Sequence, residues 1–267
     1  MSAPRGLPGR TQTGDGWYVY GVIGAETAPD RLFAGVDGVA GAVVLVQEGR
    51  LAAIASPVPL AEFGEEELTE NLRDPAWLEQ RVRAHESVLE AALETDGLVP
   101  FRFGTIYRDE DRVREMLVQE AEPLAASLDR VRGKVELGVK GFFAPAAARP
   151  EAEAEGELSA GRRYLEGKQQ ARRLAEEQET LRGSLAQTAH DRLAAVAEAA
   201  VANPLQSQEV SGREADMFLN GAYLVAGARA DEFRGEVSAL GAEHGPTGAT
   251  FELTGPWPPF NFVGAVS

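Results

Sequence analysis

Apolar positions along the chain fall into two rhythms. Residues 17–23, Trp17-Tyr18-Val19-Tyr20-Gly21-Val22-Ile23, are aromatic or β-branched apart from Gly21, with no charged residue among them. That composition predicts a strand covered on both faces. A short helix or turn is expected over 29–36. Strands over 42–47 and 50–55 flank Glu48-Gly49, which reads as a tight hairpin turn. Pro57 and Pro59 end the second of these. The acidic stretch 63–71 reads as solvated. Asp74-Pro75 predicts a helix start, with Asp as N-cap and Pro at the first helical position. From there Leu78, Val82, His85, Leu89 and Ala92 recur at spacings of four and three, one apolar stripe of an amphipathic helix. Gly97 fits its C-terminal stop. A strand over 98–103 follows, and Pro100, lacking an N–H, places it at a sheet edge or breaks it.

The order β, short α, β, β, α, β is the split βαβ, or ferredoxin-like, pattern. Two helices come next. The first has Asp109, Glu110 and Asp111 at its start and Val113, Met116, Leu117 and Ala121 inward. The second opens at Pro123, carries Leu124, Leu128 and Val131, and closes at Gly133. A second unit begins with a strand over 134–143, in which Val135, Leu137 and Val139 share one face and Lys134, Glu136 and Lys140 the other. The Ala-, Pro-, Glu- and Gly-rich stretch 144–161 reads as a flexible acidic loop. Strong helix formers fill 162–202, with Gly183 placed to bend or split the helix and Asn203-Pro204 to end it. A strand over 217–226, a helix from Asp231 with Phe233, Val237 and Leu240 inward, and a strand over 250–254 complete the pattern. The expected class is α+β in two domains: a disordered leader over 1–16, a ferredoxin-like domain over 17–132, and a C-terminal α+β domain over 133–267. The last of these ends in an extended tail over 255–267.

Charge and composition narrow the function classes. The net charge of −16 repels phosphate backbones and anionic lipid heads, so neither nucleic acid nor a membrane surface is an expected partner. No apolar run reaches the roughly 18 residues of a membrane span. The chain has no Cys, which removes disulfides and thiolate metal sites and suits a reducing, cytoplasmic setting. Of three His residues, His85 lies on an apolar stripe and reads as a core-edge histidine. His190 reads as a solvated surface pair with Asp191, and His244 sits in a Gly-rich loop. No HExxH, Walker A or GxSxG pattern occurs. Gly35, Gly38 and Gly41 precede a strand, whereas a dinucleotide loop follows one, so they read as turns and close packing. Glu65-Glu66-Glu67 reads as a solvated face. No catalytic, cofactor-binding or metal-ligating residue is predicted, and no cofactor.

Two segments stand out in another way. In an extended Phe101-Arg102-Phe103, the two rings face one way and Arg102 the other. Either the rings are core with Arg102 on the surface, or Arg102 is held rigidly for a partner carboxylate or a loop carbonyl. In the tail, Pro256, Pro258 and Pro259 surround Trp257, with Phe260 and Phe262 beyond. These rings either dock on the protein's own body, near Phe101–Phe103, or offer an anchor to a partner.

These two segments also carry a resemblance. The chain resembles the gas vesicle protein family GvpF/GvpL through Trp17-Tyr18-Val19-Tyr20-Gly21, His85-Glu86-Ser87-Val88-Leu89 and Val99-Pro100-Phe101-Arg102-Phe103-Gly104-Thr105. It continues through Val135-Glu136-Leu137-Gly138-Val139-Lys140, Gly161-Arg162-Arg163-Tyr164-Leu165, Ala222-Tyr223-Leu224-Val225, and the ending from Leu253 to Val263. The resemblance implies two α+β domains, the first ferredoxin-like. It implies an accessory protein of gas vesicle formation that contacts the small hydrophobic shell protein GvpA and other gas vesicle proteins. Such a protein would help nucleate or assemble the shell or limit aggregation of its subunits, in the cytoplasm and at the gas vesicle. The family brings no catalytic motif. An enzyme or small-molecule sensor on a ferredoxin-like scaffold is the alternative, because such scaffolds host many functions.

Overall fold

The computed structural model describes residues 14–26, 32–143, 160–207 and 215–264. Most of the leader expected over 1–16, residues 144–159 of the acidic loop expected over 144–161, and part of the helix or turn expected over 29–36 lie outside these residues; Ala160 and Gly161 are already helical. Described residues up to Lys134, together with those from Trp257 onward, form one compact unit, and Val135–Pro256 form a second.

The first unit is built on β1 (Asp15–Gly24), β2 (Val44–Glu48), β3 (Leu51–Pro59), β4 (Leu98–Pro100) and β5 (Ile106–Tyr107). The strand order is β2-β3-β1-β4, antiparallel throughout, with β5 also paired to β1. The helices are α1 (Leu60–Phe63), α2 (Glu65–Asn71), α3 (Pro75–Ala92), α4 (Glu110–Gln119) and α5 (Ala121–Val131). Strand β1 begins at Asp15, two residues earlier than its apolar run, and takes in the last residues assigned to the leader.

As its composition predicts, β1 is buried on both faces. Val19 and Val22 lie in one cluster with Val113, Met116 and Leu117 of α4 and Leu124 and Leu128 of α5. Tyr18, Tyr20 and Ile23 lie in the other with Phe63 of α1 and Val88, Leu89 and Ala92 of α3. Simple alternation does not produce this set. The register with β3 shifts between Val19, opposite Ala55, and Gly21, opposite Ile54. This bulge leaves Tyr20 as the extra residue and resets the parity of everything after it.

Asp74 caps α3 as expected, accepting from the Ala76 and Trp77 backbone N–H groups at 3.0 and 3.4 Å. The acidic stretch 63–71 is solvated as expected apart from its start at Phe63, but it is helical. It forms the end of α1 and all of α2, and Phe63 is buried. Glu65, Glu66 and Glu67 occupy the first turn of α2, where the helix dipole favours carboxylates. The strand expected over 98–103 stops at Pro100.

The second unit comprises β6 (Lys134–Phe143), α6 (Ala160–Val196), β7 (Ala199–Ala202), β8 (Asp216–Ala226), α7 (Ala230–His244) and β9 (Ala249–Trp257). Its strand order is β7-β8-β6-β9. Leu137 and Val139 of β6, Tyr223 and Val225 of β8, and Phe233, Val237 and Leu240 of α7 share one core with Leu185, Ala189 and Leu193 of α6. Glu136, on the face opposite Leu137 and Val139, is buried. Helix α6 runs unbroken through Gly183 for 37 residues, about 55 Å at 1.5 Å per residue. It ends before Ala199–Ala202, which pairs antiparallel with β8 instead of prolonging the helix. No helix among the described residues is long and apolar enough to cross a membrane.

The turn over 35–41 closes against this framework. The Gly38 N–H donates to the Gly41 carbonyl at 2.8 Å, and a Cβ on Gly38 would lie 2.4 Å from Ser56 Oγ and 2.5 Å from the Tyr20 hydroxyl. Gly38→Ala is therefore expected to destabilise the first unit by about 1–3 kcal/mol, the usual cost of forcing a methyl into a packed site. A lowered urea midpoint, followed by circular dichroism, checks this.

Candidate functional site

The best-defined polar constellation joins β1, α3 and the segment 101–107. Tyr18 is buried, and its hydroxyl lies 2.9 Å from His85 Nδ1 on α3. The backbone N–H of Gly104 donates to the same hydroxyl at 3.0 Å. With that lone pair taken, the Tyr18 O–H is directed to His85 Nδ1, and His85 also bonds the backbone of Phe101. A neutral imidazole, accepting at Nδ1, satisfies both partners. Burial pushes the His85 pKa down to about 4, against the opposing effect of the Phe101 contact. Burial likewise raises the Tyr18 hydroxyl above its usual range.

Tyr20, set by the bulge, bonds Ser56 Oγ at 2.9 Å and accepts from the Val39 N–H at 2.8 Å. Phe103 closes the box, edge-on to Tyr18 at 6.0 Å and to His85 at 5.7 Å between ring centroids. Phe63 stands edge-on to Tyr18 from the far side at 6.3 Å. Every polar atom in this set faces a protein partner, so the constellation fixes geometry.

What it fixes is the loop after β4. The Phe101 N–H donates to the Tyr20 carbonyl at 2.7 Å, and the Val19 N–H to the Thr105 carbonyl at 2.9 Å. Thr105 Oγ1 donates to the Arg102 carbonyl at 2.8 Å. Gly104 takes φ of +85°, a value that side chains with a Cβ rarely adopt. Because the strand ends at Pro100, Phe101 and Phe103 do not share a face. Phe101 enters the cluster of α4 and α5, and Phe103 packs on the cluster of α3. Arg102 lies between them, exposed, and among the described residues no carboxylate pairs with it.

The tail does not run as an extended polyproline segment. Residues as far as Trp257 continue β9, and the chain then turns, with the Phe260 N–H donating to the Pro258 carbonyl at 2.7 Å and the Phe262 N–H to the Pro259 carbonyl at 3.1 Å. Phe262 is buried, and Val263 packs on the cluster that contains Phe101. Trp257 and Phe260 stay 50% and 46% exposed. The six residues singled out in the sequence thus divide. Phe101, Phe103 and Phe262 are interior or partly so, and Arg102, Trp257 and Phe260 face outward.

The network residues Tyr18, Tyr20 and Ser56 were not singled out, although hydroxyls at alternate positions of an apolar strand demand partners. His85 is the core-edge histidine expected. His190 is not a solvated pair with Asp191: it bonds the Tyr223 hydroxyl at 3.0 Å, linking α6 to β8, and Asp191 accepts from Gln187 at 2.7 Å. Among the described residues there is no group of three or more His, Asp or Glu side chains arranged to hold a metal ion.

The sequence model of the family described as gas vesicle synthesis protein GvpL/GvpF matches residues 16–264. The chain belongs to the GvpL/GvpF family. It is 34% identical over 223 residues to gas vesicle protein L of Streptomyces sp. (strain CB03234), covering 82% of each chain. It is 28% identical over 259 residues to gas vesicle protein F of Haloferax mediterranei, covering 93% of each. Its α+β fold is that of solved GvpF structures. The crystal structure of GvpF from Anabaena sp. PCC7120 superposes with a TM-score of 0.68 at 18% identity, covering 95% of this chain and 98% of that one. GvpF from Microcystis aeruginosa gives 0.61 at 20% identity, covering 92% and 98%. Membership of the GvpL/GvpF family implicates the chain in gas vesicle formation.

The network makes stability pH-dependent. Above pH 6.5 His85 is neutral whether the chain is folded or unfolded, so it contributes no slope. Between pH 6.5 and about 4 the unfolded chain takes up a proton that the folded one refuses, so stability falls with pH. The total loss is about 3 kcal/mol. His85→Gln is expected to remove this part of the slope in urea titrations between pH 7 and 5. Tyr18→Phe, which strands the Gly104 N–H and His85 Nδ1, is expected to cost about 1–3 kcal/mol at pH 7, read from the same titrations.

Proposed function

We propose that this GvpL/GvpF protein is an accessory, minor protein of gas vesicle formation that acts by contact and not by chemistry. On this reading it binds the shell protein GvpA and other gas vesicle proteins in the cytoplasm and at the vesicle. It assists nucleation or assembly of the shell and limits aggregation of shell subunits. The observation that carries the reading is the family match over 16–264, nearly the whole chain. The first unit is read as ferredoxin-like, with α4 and α5 added on a second face; the antiparallel order β2-β3-β1-β4 supports this.

The outward residues supply a contact surface for such a role. Arg102 sits on a loop tied down at Phe101, Gly104 and Thr105, so little rotational freedom of the backbone remains to be lost on binding. Trp257 and Phe260 are large exposed rings on a tail held by Phe262 and Val263. Aromatic and Arg side chains are the residue types that dominate protein–protein binding energy. The charge of −16 argues against nucleic acid.

Pairwise capture with GvpA and each other gas vesicle protein tests the reading. The wild-type chain is expected to retain GvpA. Trp257→Ala with Phe260→Ala is expected to weaken capture while the chain stays folded by circular dichroism, and separately Arg102→Ala to weaken it while shifting stability by no more than about 0.5 kcal/mol, as exposed positions do. Failure of the wild-type chain to capture any gas vesicle protein would overturn it.

A further inference from the structure

Among the described residues, the first sheet has one edge strand longer than three residues. Strand order leaves β2 and β4 outermost, but β4 has only three residues and ends in a proline. Strand β2, Val44–Glu48, is therefore the edge on which another strand would add.

Register decides which groups of β2 face outward. Glu48 pairs with Leu51 across the two-residue turn Gly49-Arg50, so these two exchange hydrogen bonds. The alternation then leaves Gln47, opposite Ala52, and Leu45, opposite Ile54, with N–H and C=O directed away from β3. A strand adding to this edge would use those groups first.

One of them is occupied. Arg114, on α4 and 67 residues away in sequence, donates through Nη1 to the Gln47 carbonyl. Its Nη2 is held by Glu110 at 2.6 Å, one helical turn earlier, and Glu48 lies 3.9 Å from Nη1. The guanidinium thus lies across the strand edge, fixed by carboxylates on either side. A charged side chain in this place blocks strand pairing sterically and leaves a desolvated cation if a strand does approach. The margin needs such protection, because Val44 of β2 and Val118, one turn beyond Arg114, are 38% and 61% exposed.

We infer that Arg114 is an edge guard, closing β2 to strand addition by a second copy of this chain. The occupant excluded is β2 of that copy: its outward groups are the same, and antiparallel self-pairing of an edge is a two-fold arrangement that needs no other partner.

The full chain tests this by sedimentation velocity at matched concentrations. Arg114→Ala is expected to shift the weight-average mass to at least double that of the wild type. Gln47→Pro removes an outward-facing N–H without touching a bond to β3, so Arg114→Ala combined with Gln47→Pro is expected to return the mass to the wild-type value. Either of two results overturns the inference: Arg114→Ala sediments as the wild type does, or the double variant associates as strongly as Arg114→Ala. The second result also exposes association through general unfolding, which a proline on the edge would not cure.

Discussion

A strand buried on both faces admits a hydroxyl or an imidazole only where each polar atom meets a partner, since an unpaired polar group in such a place costs several kcal/mol. Strand β1 carries two tyrosines into that environment. The rest of the first unit is arranged around the partners they require: His85 from α3, Ser56 from β3, and the backbone of Val39 and Gly104 from two connecting loops. The phenols therefore act as pins that hold irregular chain against regular sheet. They explain why a loop such as 101–105 is fixed well enough to present Arg102 in one place.

The bulge at Tyr20 is the geometric counterpart of that chemistry. Without the extra residue, Tyr20 and Val22 would share a face, and one of the two cores would lose an apolar residue or gain a hydroxyl. With it, Val19 and Val22 serve α4 and α5 while Tyr18, Tyr20 and Ile23 serve α3. A single backbone irregularity thus lets one strand supply two different interiors, one wholly apolar and one with a polar network.

Much of this was legible in the sequence, because the strongest signals are local. The hairpin at Gly49, the Asp74 cap, the His85, Leu89 and Ala92 part of the α3 stripe and the inward set of α7 all follow from spacing. Other features were misread for physical reasons. The acidic run 63–71 is solvated as read, but its helical state was missed: carboxylates in the first turn of a helix are favourable, and Phe63 and Leu68 tie that stretch to the core. Ala199–Ala202 has helical composition, but pairing with β8 overrides propensity. The shared face expected of Phe101 and Phe103 assumed an extended chain, which Pro100 and Gly104 interrupt. The Tyr18–His85 bond spans 67 residues and leaves no local signature. Within the tail, the aromatic composition was plain, but which rings turn inward depends on the turn at Phe260–Phe262.

The two units share one strand order: in each, the second and third strands pair, the first joins the third, and the fourth lies outside the first. They differ in the connection from first strand to second. It takes 19 residues between Gly24 and Val44 and 55 between Phe143 and Ala199. Closure entropy grows only with the logarithm of length, so the longer connection costs about 1 kcal/mol more than the shorter one. Neither sheet registers the difference, because this crossover enters and leaves each sheet at the same two strands. The crossover is thus a place where added length costs little, provided that Gly38 and Val39 in the first unit and Leu185, Ala189 and Leu193 in the second keep their places against the sheets.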